Sequence, residues 1–200
     1  YPLYNSALYR QGAEPNPYFL DESNNWQPDI DDIRSKINGK TRGIVIIYPN
    51  NPTGSTYSEE TLRKLTGIAR EHNLVIFSDQ IYDRLLFDNA EHLSIASIDP
   101  DVAVVTLNGL SKAYAMTGWR IGYACAPGNN GAIAKAMNTL QSQITTSITS
   151  FCYATIPVAL GMHDEVESMR QIFAKRAALM YKLIQEWPDV QCAEPTGAFY

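Results

Sequence analysis

The chain has 200 residues, of which 45% are hydrophobic, and a formal net charge of −5 at neutral pH. This is enough sequence for one large domain with a buried core. The acidic balance argues against nucleic acid as a partner, and no apolar run is long enough to cross a membrane. Three widely spaced cysteines favour a reducing, cytoplasmic setting, and the three histidines lack the spacing of metal ligands.

Short apolar runs alternate with helical periodicities along the chain. Buried strands are predicted at residues 43–48, 74–78, 102–107 and 121–126. Helices are predicted at residues 4–10, 28–37, 58–72, 132–140, 151–160 and 164–186. The third helix is expected to take Ser58 as its N-cap. This alternation predicts an α/β fold with a mostly parallel sheet, and the β-branched run at residues 43–48 suits a strand covered on both faces.

Two further segments complete the predicted organisation. Residues 141–150 are rich in Ser, Thr and Gln and are expected to be a turn or an irregular link. Residues 190–192 and 198–200 are predicted to be strands of another, smaller unit. Because neither end of the sequence resembles a natural terminus, the chain is expected to be a fragment of a longer protein.

Three polar residues come directly after predicted strands. Asn51 lies in the turn after the first strand, Asp79 follows the second, and Lys112 lies just beyond the third. Open α/β sheets bind ligands at the carboxyl ends of their strands. We therefore expect these side chains to lie along one edge of the sheet, where they can converge.

The segment around Lys112 points to a cofactor. A partly buried lysine amine can form a Schiff base with a carbonyl compound, because burial disfavours the ammonium form. Arg120 follows eight residues later between two glycines and offers a charged fork suited to phosphate. An aldehyde and a phosphate on one small molecule describe pyridoxal 5′-phosphate (PLP). The alternative is that both residues are surface cations of a loop.

Asp79, Tyr82 and Asn51 have both functional and structural interpretations. A carboxylate opposite a pyridine nitrogen keeps the ring protonated, whereas a structural Asp79 would be a loop residue or a helix N-cap. Tyr82 and Asn51 can each donate a hydrogen bond to the phenolic oxygen of the cofactor. In structural roles, Tyr82 would be a packing aromatic residue and Asn51 a turn residue.

Four ordered motifs now identify a resemblance. Gly-Leu-Ser-Lys at residues 109–112 and Gly-Trp-Arg-Ile-Gly at residues 118–122 resemble the lysine signature of class I/II aminotransferases, the fold-type I PLP enzymes. Asn-Pro-Thr-Gly at residues 51–54 and Asp-x-x-Tyr at residues 79–82 are similar to two further motifs of that family. The family's fold implies a three-layer α-β-α unit.

The resemblance implies domain limits and residue roles. Residues 1–160 would form part of the PLP-binding large domain, and residues 161–200 the connecting helix and the start of the small domain. The implied roles are a Schiff base at Lys112, hydrogen bonds to the ring oxygen from Asn51 and Tyr82, a carboxylate at the ring nitrogen from Asp79, phosphate contacts from Ser111 and Arg120, and ring stacking by Tyr1.

The sequence departs from the family pattern at several points. Gly109 stands where many members have a phosphate-contacting serine, and Gln80 replaces a common glutamate. The chain lacks the family's upstream Gly-rich phosphate loop and its downstream arginine for the substrate carboxylate. These absences agree with a fragment that is not a competent enzyme by itself.

The resemblance implies transfer of an amino group between an amino acid and a 2-oxo acid, with similarity leaning toward aspartate and alanine aminotransferases. The full-length protein is expected to be a homodimer. Two alternatives remain open: another PLP enzyme, such as a C–S lyase or a carbon–carbon synthase, or a PLP-sensing effector domain of a transcription regulator. A nicotinamide-binding domain is disfavoured, because no Gly-x-Gly-x-x-Gly follows any strand.

Overall fold

A computed structural model describes residues 1–88, 90–128 and 131–200. Its helices are α1 (Pro2–Arg10), α2 (Ile30–Lys36), α3 (Glu59–Glu71), α4 (Ala132–Ile144), α5 (Thr155–Leu160) and α6 (His163–Ile184). Its strands are β1 (Leu20–Asp21), β2 (Gln27–Pro28), β3 (Gly43–Ile47), β4 (Val75–Asp79), β5 (Val104–Gly109) and β6 (Gly122–Cys125). Within these ranges, no helix combines the length and the apolar character that crossing a bilayer requires.

The main sheet has four strands in the order β3-β4-β5-β6. Strands β3, β4 and β5 run parallel, and β6 returns antiparallel to β5. Strands β1 and β2 form a separate antiparallel pair. The predicted α/β fold with a mostly parallel sheet is therefore confirmed, and all four predicted strands of residues 43–126 are present.

Helix α3 covers one face of the sheet. The predicted N-cap is confirmed, because the Ser58 side chain accepts a hydrogen bond from the Thr61 N–H. The apolar face of α3 includes Leu62 and Leu65, which are fully buried in the same cluster as Ile46 of β3 and Ile76 of β4. Burial on one helical stripe thus joins α3 to alternate residues of the parallel strands.

The opposite face of β3 and β4 is more open than their sequences predict. Val45 and Ile47 of β3 are only half-buried, and Phe77 of β4 is 37% exposed. Among the described residues, this face of β3 and β4 is therefore covered less completely than the face that packs against α3. An apolar run shows that a strand is suited to burial, but not which segment of chain covers it.

Three further local predictions needed correction. Helix α4 continues to Ile144, so the first part of the predicted irregular link, residues 141–150, is helical. The predicted helix at residues 151–160 begins as a 3₁₀ turn, Ser150–Ala154, and becomes α-helical only in α5. Neither residues 190–192 nor residues 198–200 form a strand.

The end of the chain instead packs against the sheet edge. Gly197 forms an isolated antiparallel bridge with Leu86. The N–H groups of Thr196 and Gly197 donate to the Gly54 carbonyl at 2.9 and 2.8 Å, and the Ala198 N–H donates to the Leu85 carbonyl at 2.8 Å. The division at residues 160 and 161 into a large domain and the start of a small one stays a prediction.

Candidate active site

The carboxyl ends of β3, β4 and β5 lie side by side. In the parallel ladder, Ile47 is opposite Asp79, and Asp79 is opposite Leu107. The turn after β3, the last residue of β4 and the loop after β5 therefore share one edge of the sheet. This places Asn51, Asp79 and Lys112 along that edge, where ligands of open α/β sheets bind.

The turn after β3 is held by Asn50, which leaves Asn51 free for other contacts. The buried Asn50 side chain accepts hydrogen bonds from the Thr53 N–H at 3.3 Å and the Thr53 hydroxyl at 3.1 Å, and it donates to the Ile47 carbonyl at 3.1 Å. Asn51 is half-buried, and its Nδ2 donates to the Tyr200 hydroxyl at 2.9 Å. Asn50 thus has the structural role that the sequence left open for Asn51.

Asp79 presents its carboxylate at the end of β4. Its Oδ2 accepts a hydrogen bond from the Tyr4 hydroxyl at 2.7 Å, and its Oδ1 accepts one from the Ile81 N–H at 3.2 Å. Burial raises the pKa of the Tyr4 phenol above its ordinary value, and the adjacent carboxylate raises that pKa further. Tyr4 therefore stays a protonated donor across the physiological pH range.

Tyr82 and Asn51 meet at a single oxygen atom. The buried Tyr82 hydroxyl lies 2.9 Å from the Tyr200 hydroxyl oxygen, which also accepts the Asn51 amide. Burial raises the pKa of Tyr82, and its hydrogen bond to Tyr200 adds to this effect. An amide that donates and a phenol that can donate or accept therefore meet at one phenolic oxygen at the sheet edge.

The Lys112 side chain extends toward the rings of Tyr82 and Phe199. Its Nζ lies 5.7 Å from the centre of the Tyr82 ring and 5.4 Å from that of the Phe199 ring, within range of cation–π attraction. The side chain is half-buried. Across residues 1–88, 90–128 and 131–200, no salt bridge involves Lys112. An amine without a carboxylate partner is available to react with a carbonyl group.

Ser111 and Arg120 belong to one closed loop beyond β5. The Leu110 N–H donates to the Ile121 carbonyl at 3.1 Å, which joins the two ends of the loop. Arg120 is exposed, has a left-handed backbone with φ of +56°, and donates from its guanidinium to the Thr117 carbonyl at 2.8 Å. Ser111 is half-buried. The two predicted phosphate ligands are thus held on the loop that also carries Lys112.

Gly109 is required by the close approach of β5 and β6. A Cβ atom at this position would lie 2.6 Å from the Ile121 carbonyl oxygen and 3.0 Å from the Gly122 Cα. Both obstacles are backbone atoms, which cannot move aside as a flexible side chain would. The glycine that departs from the family pattern is therefore a packing requirement of this sheet.

Tyr1 lies beside the donor to Asp79. Its ring meets the Tyr4 ring edge-on, with 6.2 Å between the ring centres. The Tyr1 side chain is 53% exposed. The structure thus places the predicted stacking residue on the Asp79 side of the site with an accessible ring.

Comparison with known proteins decides the family. The sequence matches Aminotransferase class I and II over residues 1–200. The chain belongs to the class I and II aminotransferase family. It is 40% identical over 210 residues to the glutamate-pyruvate aminotransferase AlaA of Escherichia coli strain K12, covering 100% of this chain and 51% of that protein. The chain thus spans about half the length of such relatives.

Solved aminotransferase structures have the same fold. An alanine aminotransferase from Pyrococcus furiosus superposes with a TM-score of 0.91 at 36% identity, over 99% of this chain and 51% of that one. The aspartate aminotransferase from Thermus thermophilus with maleate superposes with a TM-score of 0.90 at 33% identity, over 98% of this chain and 50% of that one. The fold-type I assignment is therefore confirmed.

Class I and II aminotransferases depend on PLP, and the residues at the sheet edge fit that cofactor. Asn51 Nδ2 and the Tyr82 hydroxyl oxygen each lie 2.9 Å from one phenolic oxygen, that of Tyr200, so both side chains can reach such an oxygen. PLP has a phenolic oxygen, a pyridine nitrogen, an aldehyde and a phosphate. The chain supplies the Asn51 amide, the Tyr82 hydroxyl, the Asp79 carboxylate and the Lys112 amine, with Arg120 nearby in sequence, so these groups match those of the cofactor.

Gln80, the second departure from the aminotransferase pattern, is the centre of a buried polar network. Its Nε2 donates to the Ser78 hydroxyl at 2.8 Å and the Ser94 hydroxyl at 3.0 Å, while its Oε1 lies 2.9 Å from Nε2 of His92. The Gln80 residue is 3% exposed. A neutral amide satisfies these partners without burying a second negative charge next to Asp79.

Sequence reasoning missed Tyr4 and Tyr200. Tyr4 is 75 residues from Asp79 along the chain, and Tyr200 is 149 residues from Asn51. The only local signal for Tyr4 was its place three residues after Tyr1 at the start of a helix. No pattern near Tyr200 indicates its partners, because contacts at such separations depend on the completed fold.

Proposed function

We propose that the full-length protein is a PLP-dependent aminotransferase that moves an amino group between an amino acid and a 2-oxo acid. The observation that supports this most directly is that Asn51 and Tyr82 meet at one phenolic oxygen, with the Lys112 Nζ 5.7 Å from the centre of the Tyr82 ring. Family membership agrees with it. None of the comparisons favours a lyase, a synthase or a regulatory effector domain.

Each residue of the site has one task in this proposal. When bound, PLP supplies the electron sink that stabilises negative charge on the α-carbon of the substrate. Nζ of Lys112 would anchor the cofactor, and the freed amine would take the proton from the substrate α-carbon and deliver it to the C4′ carbon of the cofactor. The Asp79 carboxylate would face the ring nitrogen, where its charge would favour the protonated form of the ring.

The remaining residues orient the cofactor. Asn51 and Tyr82 would hold the phenolic oxygen, Ser111 and Arg120 would bind the phosphate, and Tyr1 would stack on the ring. Arg120 suits this role because its guanidinium uses one hydrogen bond within its own turn and remains exposed to bind an anion.

The similarity to a glutamate-pyruvate aminotransferase and to alanine aminotransferases supports a substrate class. We propose that glutamate or alanine donates the amino group, and that pyruvate or 2-oxoglutarate receives it. A panel of amino donors with each 2-oxo acid, followed by amino-acid analysis of the products, tests this. Equal rates with all donors, or release of the substrate's side chain without amino transfer, would contradict it.

We also propose a homodimer in a reducing, cytoplasmic compartment. The apolar residues exposed on the helices, such as Leu140, Ile144 and Val158, support a protein partner. Three unpaired cysteines support the compartment. The net charge of −5 argues against nucleic acid. Light scattering of the full-length protein tests the dimer, and fractionation of cells tests the compartment.

Trapping of Lys112 is the direct test of the reaction type. The full-length protein is incubated with PLP, reduced with borohydride, digested and examined by mass spectrometry, alongside Lys112→Ala and the control Lys135→Ala. Lys135 is an exposed lysine of α4, far along the chain from the site. We expect the label on Lys112, and a loss of transamination of at least about 1,000-fold in Lys112→Ala only. A folded wild-type protein without label at Lys112 would overturn the proposal.

A further inference from the structure

The Asp79 carboxylate has a hydrogen-bond donor that no sequence motif indicated. Tyr4, on helix α1, donates from its hydroxyl to Oδ2 at 2.7 Å, while the Ile81 N–H donates to Oδ1 at 3.2 Å. Among the described residues, these are the hydrogen bonds that reach the carboxylate. Each oxygen therefore keeps further acceptor capacity, since an ionised carboxylate can accept several hydrogen bonds.

We propose that Tyr4 is a positioning residue that fixes the Asp79 carboxylate and thereby controls how fully the ring nitrogen of bound PLP is protonated. This inference rests on the proposed function, because it requires PLP opposite Asp79. It goes beyond that function by assigning the electronic state of the cofactor to a residue on a helix outside the sheet.

The surroundings of Tyr4 support a polar role over a packing role. No residue of α1 is fully buried, and Tyr4 itself is half-buried. Its hydroxyl nevertheless makes a short hydrogen bond to a charged acceptor, the class of hydrogen bond that contributes most. Burial, and next the Asp79 carboxylate, raise the pKa of the phenol, which keeps the donor protonated.

The expected effect of this hydrogen bond has two parts. A donated proton fixes the rotation of the carboxylate, so that its plane is set before the cofactor binds. It also holds the charged Oδ2 in one place, where the carboxylate would face the ring nitrogen of bound PLP and favour its protonated form. Loss of the Tyr4 hydroxyl leaves Oδ2 without that donor, so the carboxylate is free to rotate away from the place where it would meet the ring nitrogen.

The test uses the full-length protein loaded with PLP that carries ¹⁵N at the ring nitrogen. The variant Tyr4→Phe removes only the hydroxyl, and the control Tyr9→Phe makes the same change at a 65% exposed tyrosine of the same helix. In Tyr4→Phe we expect the ¹⁵N shift to move toward the unprotonated value, with kcat lower by about 10-fold and KM within about 2-fold of wild type. Tyr9→Phe should match wild type in all three measurements.

A second variant covers the case in which Tyr4→Phe does not fold. Incorporation of 3,5-difluorotyrosine at position 4 keeps the ring and the hydroxyl but makes the hydroxyl a stronger donor. The ¹⁵N shift should then move in the opposite direction, toward the fully protonated value. A ring-nitrogen shift that is identical in wild type and both position-4 variants would overturn the inference.

Failure of the proposed function gives a different result. Borohydride labelling of the same wild-type sample shows whether Lys112 holds PLP. If Lys112 is labelled but the position-4 variants behave as Tyr9→Phe does, then only the role of Tyr4 is wrong. If folded wild-type protein gives neither a label nor a ¹⁵N signal of bound cofactor, both proposals are overturned.

Discussion

The sheet region and the later helices of this chain differ in how they bury apolar side chains. The largest buried cluster lies within residues 33–104, where α2, α3 and the parallel strands pack together; we refer to it as the packed region. Helix α4 has no buried residue, and α5 and α6 bury Ala159 and Val166. Stability from apolar burial is therefore concentrated in the region that ends at the candidate site.

This difference shows which elements hold the site in place. Asp79 is the last residue of a strand in the packed region, and Asn51 follows another such strand. Their positions depend on buried contacts within the chain. Helices α4 and α6, in contrast, expose Ile144, Leu179 and Leu183. Their apolar faces contribute little stability within the described chain, because that surface remains in water.

Alkaline pH should produce the largest difference in stability between the packed region and the later helices. Burial raises the pKa of Tyr48 to about 12 and that of Tyr57 well above its ordinary value. The folded protein therefore holds these protons more tightly than the unfolded chain, so the stabilisation is complete below pH 10 and is lost as pH rises through the folded pKa. We expect cooperative unfolding of the packed region at about pH 11 to 12. At that pH the phenols of the unfolded chain, with a pKa of about 10, are ionised, which favours the unfolded state.

Absorbance at 295 nm, together with circular dichroism, checks this expectation. A late rise in phenolate absorbance should coincide with the loss of ordered structure. Gradual ionisation of all 12 tyrosines near pH 10, with the circular dichroism unchanged, would show that the packed region is open to solvent.

A core truncation should have the next largest effect. Ile76 of β4 is 0% exposed, and Ile76→Ala removes three methyl or methylene groups from the packed region. We expect a loss of about 3 to 4 kcal/mol in the free energy of unfolding, measured by urea denaturation. Leu179→Ala on α6, where the side chain is 57% exposed, should cost less than about 0.5 kcal/mol. Equal costs would refute the contrast between the two regions.

A methyl group at Gly109 tests the strand contact next to the site. Gly109→Ala would place its Cβ 2.6 Å from the Ile121 carbonyl oxygen, so β5 and β6 must separate. We expect a loss of about 2 kcal/mol in unfolding free energy. Gly118→Ala is the matched control, since a Cβ there meets no atom within 4 Å. If Gly109→Ala is as stable as Gly118→Ala, the predicted collision is absent in solution.

The smallest effect is expected at the start of α3. Ser58→Ala removes the side chain that accepts from the Thr61 N–H at 3.1 Å, and should cost about 1 kcal/mol in thermal or urea unfolding. Ser142→Ala on α4 is the control, because its hydroxyl donates to the Thr139 carbonyl within an exposed helix. If Ser142→Ala lowers the free energy of unfolding as much as Ser58→Ala does, the N-cap hydrogen bond of α3 has no special effect on stability.

Local patterns were sufficient to predict most of the fold. The four strands, the helix after Ser58 and the placement of Asn51, Asp79 and Lys112 at the strand ends follow from hydrophobic periodicity and turn residues. Such signals are local, because each repeats within one strand or one helix. The α/β alternation then limits the sheet to a few topologies.

Predictions were less successful where the structure depends on contacts between residues far apart in the sequence. The apolar run at residues 198–200 suggested a strand, but Phe199 instead meets Tyr82 edge-on with ring centres 5.3 Å apart. Helix α4 continued beyond its predicted end because residues 141–144 contain no glycine or proline. The hydrogen bond from Tyr4 to Asp79 joins segments that no local pattern relates.

The last residues of the chain also have a consequence for the order of folding. Thr196 hydrogen-bonds to Thr56 across 140 residues, and Tyr200 to Asn51 across 149. Contacts at these separations close the largest loops in the chain, and the entropy of loop closure opposes them most strongly. We expect the parallel sheet to form first and these contacts last. The polar group around Asn51 and Tyr82 is then assembled only when nearly the whole described chain has already folded.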